Sequence, residues 1–228
     1  MSEATLGPTG PDAATPAALG KPRLRGVFHE AGFYAALGAG VVLVSLAHSA
    51  RAGLALGVFA LSLATLLGIS ALYHRPTWKP AQRRLMRRLD HCGIFILIAG
   101  TYTPLCILVL PPEVGLPLLR WVWIGAGAGI AQSLFWIDAP KPVAVVIAVA
   151  LGWLSMSKMP ALWTALGPLG TGLMLLGGLF YTAGATIYGL KRPNPLPRVF
   201  GYHEIFHALV VLGAIAHYAM VLRVARGG

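Results

Sequence analysis

Seven apolar runs follow one another along this chain, at roughly 27–48, 53–74, 90–110, 120–137, 142–158, 166–189 and 202–222, with the basic residues collected in the gaps. A run of about 20 apolar residues, wound as a helix, matches the ~30 Å hydrocarbon core of a bilayer. Lipid offers backbone groups no hydrogen-bond partners, so such runs must bond within themselves. The pattern predicts an all-α integral membrane protein, a seven-transmembrane helix bundle over residues 23–228. Charge content fits this class: charged residues make up 11% of the chain, against about a quarter of an average soluble domain. The fifth and sixth runs are the least regular. Pro140, Pro142, Pro160 and Pro168 punctuate them, and proline is at ease only in the first turn of a helix.

A formal net charge of +11 invites a nucleic-acid reading, which the positions of the charges exclude. Lys21, Arg23, Arg25, Arg75, Lys79, Arg83, Arg84, Arg87, Arg88, Lys141, Lys191, Arg192 and Arg198 fall on one side of the expected bundle. Only Arg51, Arg120, Lys158, Arg223 and Arg226 fall on the other. By the positive-inside rule the N-terminus is cytoplasmic and the C-terminus is outside. The stretch from Lys79 to Arg88 reads equally as a short surface segment on anionic headgroups or as a topology signal alone.

Residues 1–22 hold Pro8, Pro11, Pro16 and Pro22 among Gly, Ala and Thr, with no apolar periodicity, and are expected to form a disordered tail. They lack the basic start and apolar core of a cleaved signal peptide, which leaves the first helix to direct insertion. Cys92 and Cys106 fall on one helix, about 21 Å apart along its axis. They cannot bridge each other, and a thiolate metal site is excluded.

Polar interruptions of the apolar runs point to chemistry. His203 and His207 are four residues apart at the start of the last run, so they share one helix face and can reach one metal ion. A catalytic zinc usually takes three protein ligands and a water. Helix parity puts the end of helix 2 and the starts of helices 3 and 7 at one membrane face. There His74 closes helix 2, Asp90 and His91 open helix 3, and Ser70 lies one turn deeper on the face of His74. Asp90 and His91 point about 100° apart, so one of them faces the site. Asp90 is chosen, because an unpartnered carboxylate at that depth is the costlier group.

Plainer readings stand beside these. His48 and His217 read as interfacial side chains, with His217 about 15 Å beyond His207. His29 reads equally as an interface residue or as support behind a metal ligand. Ser70 alone would be a helix serine bonded to its own backbone. H-E-x-x-H is also a zinc-protease motif with Glu204 as general base. The extended form of that motif needs glycine where Val210 stands, and no acidic residue follows Glu204. Glu204 is therefore expected either behind the ligands or as an edge carboxylate near Arg198.

Ser70-Ala71-Leu72-Tyr73-His74, the stretch Leu89-Asp90-His91-Cys92-Gly93-Ile94-Phe95 leading to Ala99-Gly100-Thr101-Tyr102-Thr103-Pro104, and Gly201-Tyr202-His203-Glu204-Ile205-Phe206-His207 resemble the bacterial hemolysin III family. That family is grouped with progestin and adipoQ receptors and, more distantly, alkaline ceramidases, in a superfamily of proposed membrane hydrolases. The resemblance runs from helix 1 to helix 7. It implies a seven-helix bundle in the bacterial cytoplasmic membrane. One zinc ion would be held near the cytoplasmic face by His74, His203 and His207, with Ser70 and Asp90 beside it. His29 falls where the family often has a histidine, although Gly26-Val27-Phe28 departs from the pattern.

These readings lead to an expected zinc-dependent hydrolysis of a lipid amide or ester. Asp90 would orient or deprotonate a water, and Ser70 would hydrogen-bond that water or the developing oxyanion. Membrane lipids are the expected partners. The alternative is a non-catalytic protein, receptor-like or pore-forming, in which the metal ties helices 2 and 7 together. A pore is the weaker of these, because no repeated polar stripe lines any run.

Overall fold

The structure, a computed structural model, describes residues 21–227, and among them every apolar run is helical. Helix α1 spans Val27–Ser45, α2 Ala50–His74 and α3 Pro80–Pro104, which continues as a π-helical turn over Leu105–Val109. Helix α4 spans Pro112–Phe135, and α5 spans Lys141–Gly152 and tightens into a 3-10 helix over Trp153–Lys158. Helices α6 (Met159–Leu190) and α7 (Tyr202–Ala225) complete the described chain. Outside the helices the described residues hold one antiparallel bridge, Leu196 to Phe200.

Six segments among the described residues are long and apolar enough to cross a membrane, which makes the chain an all-helical integral membrane protein. The expected count was seven. The difference lies in α5 and α6, which run on as one apolar stretch of 49 residues, Pro142–Leu190. Side chains such as Leu54, Leu61, Trp121, Phe135 and Ile215 project outward from the bundle, as lipid-facing residues do.

Several boundaries move from their expected places. Helix α3 begins at Pro80 rather than near residue 90, so Lys79–Arg88 is mostly helix rather than a surface loop. Its Arg84 and Arg87 both pair with Asp138 at 3.1 Å. Hydropathy misses this turn because arginines that reach an acidic partner can sit on a helix as readily as in a loop. Helix α4 likewise begins at Pro112, with proline in its first turn. Helix α6 starts at Met159 and kinks at Gly167, whose φ of 65° only glycine adopts without strain, directly before Pro168.

Of the segment expected as a tail, residues 1–20 lie outside the described residues. Lys21 is held against α2 by a 2.8 Å hydrogen bond from Nζ to the Arg75 carbonyl. The backbone NH groups of Arg23 and Leu24 donate to the carbonyls of Arg198 and Val199. The start of α1 is thereby tied to the segment entering α7.

Close helix contacts set the depth of the interior. A β-carbon on Gly100 of α3 would overlap the Ser62 hydroxyl of α2, and one on Gly129 of α4 would overlap the Phe95 ring of α3. Small residues at such positions let helices approach closely in a membrane. Tyr102 of α3 secures the break after α5. Its hydroxyl donates toward the carbonyls of Leu151 (3.1 Å) and Gly152 (2.8 Å) and accepts from the Ser155 NH (2.8 Å).

Candidate metal centre

His74 is the last residue of α2, and His203 and His207 lie in the first two turns of α7. Their ring centroids are 4.5 to 4.9 Å apart, and one ligand atom from each falls within 4.8 Å of the others. His74 and His207 are buried and His203 is half-buried. The Nε2 atoms of His74 and His203 stand 3.3 Å apart. Nitrogens bound at about 2.0–2.1 Å around a tetrahedral ion are separated by about 3.3–3.4 Å, so this spacing suits a shared ion. The three imidazoles expected to converge do so and could hold a metal ion.

The acidic partner comes from α3. Asp90 lies about 15 Å from the start of that helix, with Oδ2 3.8 Å from His74 Nε2. That distance is beyond direct hydrogen-bond range, so the carboxylate flanks the ligand nitrogen without occupying it. Ser70, one turn before His74, lines the same cavity as Asp90. His91 was set aside in favour of Asp90, yet both residues line the same cavity. A cavity that wraps the helix can receive neighbours 100° apart.

Glu204 is not the edge carboxylate near Arg198. It is 1% exposed, forms an ion pair with Arg25 rather than Arg198, and accepts a 2.8 Å hydrogen bond from the Gly201 NH. Its carboxylate is thus taken up by an ion pair with an arginine from the segment before α1 and by a cap on the start of α7.

His29 is resolved in favour of support rather than interface. Its ring is 2% exposed and stacks on His207 with centroids 3.8 Å apart and planes 1° from parallel. An ion bound to His207 lies in the plane of that ring at about 2 Å. A ring stacked at van der Waals distance cannot also reach such an ion, so His29 braces His207 without being a fourth ligand. Sequence reasoning gave Gly26 no role at the site. It caps α1 at φ 80°, and a β-carbon there would come within 2.8 Å of the His74 β-carbon. The signal was a glycine directly before an apolar run, too common to single out.

A cavity extends from this cluster into the bundle, between walls that include Ile94, Ile98, Val145, Ala148 and Phe206. His217, expected at the interface, lines it too and packs against Tyr181 with centroids 5.3 Å apart. The interfacial reading fails because α6 covers that face of α7. His48 is exposed in the turn between α1 and α2.

A family model described as haemolysin-III related matches residues 17–218. The chain belongs to that family. A hemolysin-3 homolog of Bacillus subtilis is 32% identical over 165 residues, covering 72% of this chain and 74% of the relative. Hemolysin-3 of Bacillus cereus is 30% identical over 196 residues, covering 84% and 86%. The family reaches beyond bacteria: an adiponectin receptor protein of Drosophila melanogaster is 26% identical over 179 residues, which is 71% of this chain and 40% of that one.

Proposed function

We propose that the protein is a zinc-dependent hydrolase of the haemolysin-III family that cleaves an amide or ester bond of a membrane lipid at the cytoplasmic face of the bacterial inner membrane. The reading is carried by one observation: a carboxylate, Asp90, stands beside three converging imidazoles at the head of a mainly apolar cavity. An all-imidazole donor set suits zinc. Three protein ligands, with His29 stacked out of reach, leave one position for a water. When bound, zinc supplies a water acidified toward a pKa of about 7.

The rest belongs to the chain. Asp90 accepts the proton released as the water oxygen bonds the acyl carbon, and returns it to the nitrogen or oxygen that leaves, so one water is consumed and the carboxylate is regenerated. Ser70 fixes the carboxylate by hydrogen bonding to it. His29 keeps the His207 ring from rotating. The apolar walls hold an acyl chain and exclude bulk water, while the polar head meets the cytoplasmic edge.

Purified protein in nanodiscs tests this with metal analysis and lipid-product detection. Asp90→Asn is expected to retain one zinc per chain and to lose turnover by about 10²- to 10⁴-fold, the range of general acid–base catalysis. His207→Ala is expected to lose both. Metal bound without turnover of any lipid amide or ester, or full turnover in Asp90→Asn, would replace the enzyme by a metal-stabilised, non-catalytic membrane protein.

A further inference from the structure

The far end of the cavity holds a second polar pair that the proposed hydrolysis does not use. Tyr181 of α6 and His217 of α7 face each other there, and both line the cavity that begins at His74, His203 and His207. The Tyr181 hydroxyl and His217 Nδ1 are buried and have no hydrogen-bond partner among the described residues. Unpaired polar groups are costly within a bilayer and tend to mark function there. The bundle also makes room for this imidazole: a β-carbon on Gly177 would overlap the His217 ring.

The chemistry of the pair follows from its neighbours. His217 Nε2 lies 3.1 Å from the Met174 carbonyl oxygen, which can only accept, so in the neutral ring Nε2 carries the hydrogen. Nδ1 is then an acceptor aimed at no protein donor. The Tyr181 ring packs against this imidazole with centroids 5.3 Å apart, and its unpartnered hydroxyl can donate. One acceptor next to one donor is the complement of an alcohol, which accepts from the tyrosine and donates to the imidazole. A carbonyl would leave Nδ1 unpaired, and a methylene would leave both groups unpaired.

We propose that this pair is a hydroxyl-recognition subsite, and that the lipid taken by the cavity carries an alcohol group deep along its chain. The inference rests on the reading above in one respect, that the head of the lipid lies at the histidine cluster. His217 follows His207 by ten residues on one helix, which puts the hydroxyl about 15 Å from the head. Sites built to bond a hydroxyl discriminate strongly against analogues that lack it, because their own polar groups are then left unpaired.

The test compares binding of two N-octadecanoyl amides, one unsubstituted and one with a hydroxyl about 15 Å along the chain from its amide. Affinity is measured by displacement of a fluorescent fatty amide from Asp90→Asn protein in nanodiscs, so that turnover plays no part. The hydroxylated chain is expected to bind about tenfold or more tightly, and Tyr181→Phe, which keeps the ring and removes only the hydroxyl, is expected to bring the two chains close to parity. His217→Gln supplies an independent variant with the same expected loss of preference. Equal binding of the two chains in the Tyr181 parent overturns the subsite and leaves the pair solvated by water. A preference that survives both substitutions also overturns it. Absence of hydrolysis by the unsubstituted protein, with the preference intact, would count against the proposed reaction alone.

Discussion

Glu204 lies between His203 and Ile205, and one residue of helix turns its side chain about 100° from that of His203, away from the metal candidates and toward Arg25 and the Gly201 NH. Removing its charge tests stability more than chemistry. Glu204→Gln is expected to lower unfolding free energy by about 1–3 kcal/mol, as for a buried charged hydrogen bond that loses its ionised partner. Zinc content and turnover per folded molecule should stay within about twofold, the working allowance for a change outside the site, read by thermal denaturation beside metal analysis. An enzyme that used this glutamate as general base would lose activity with its fold intact. Gly26 argues in the opposite direction, from backbone to site. Gly26→Ala must hold an L-residue at φ 80° and push against the His74 β-carbon. The left-handed conformation alone costs about 1–2 kcal/mol. Because the contact bears on a ligand, metal affinity is expected to fall about tenfold, the lower end of effects from residues that orient ligands, in a competition titration with a chelator. Unchanged affinity would show that His74 shifts freely. Of this site, His74, His203, His207, Ser70 and Asp90 were legible because helical spacing and parity are fixed by geometry. Gly26, Arg25 and the stacking of His29 were not, since each depends on how α1 and the segment before it dock against α2 and α7.

Among the elements, α5 is the one whose form owes most to a distant side chain. Where the 3-10 turn begins, the Tyr102 hydroxyl of α3 reaches the Leu151 and Gly152 carbonyls while accepting from the Ser155 NH. Trp153 adds a 2.8 Å bond from its indole NH to Thr182 of α6. The break is therefore stitched to both neighbours. Tyr102→Phe keeps the ring in place and removes these three bonds at membrane depth, where lipid offers nothing in exchange. A destabilisation of about 1–3 kcal/mol is expected, with faster hydrogen exchange concentrated at residues 151–158. Uniform exchange along the chain would mean that the break is held by packing alone. From sequence, prolines announced irregularity in this region, yet Pro140, Pro142 and Pro160 sit harmlessly at or before first turns and only Gly167-Pro168 marks a kink. The break itself falls at Gly152-Trp153, where no proline stands. Hydropathy sees apolar content and is blind to a hydrogen-bond rearrangement within it.

For the whole molecule the open quantity is the number of crossings, and the Pro142–Leu190 stretch decides it. A straight helix of its 49 residues would be about 74 Å long, more than twice the ~30 Å hydrocarbon core. The stretch is not straight. It tightens over Trp153–Lys158 and turns at Gly167, so two passes joined near residues 158–167 fit where one cannot. An even number of passes over this stretch returns Lys191, Arg192 and Arg198 to the side of Arg75 and Lys79, and makes the basic residues lie mainly on one face. A single pass would divide them between the two faces, against the positive-inside rule. It would also separate residues that touch. Asp138, at the end of α4, pairs with Arg84 and Arg87 of α3, while Arg198, before α7, accepts from Arg23 beside Lys21, which itself bonds the end of α2. These contacts put the start of α5 and the start of α7 at the same face as the histidine cluster, and we propose that the chain between them goes across and comes back. Reporters that are active only in the cytoplasm are therefore expected to be active when fused before residue 21 or between residues 191 and 198. They are expected to be silent when placed at residues 158–160 or after residue 227. Activity at the C-terminus would mean an even total of crossings and would overturn the two-pass reading, because α7 would then enter from the face opposite His74 although His203 and His207 meet it.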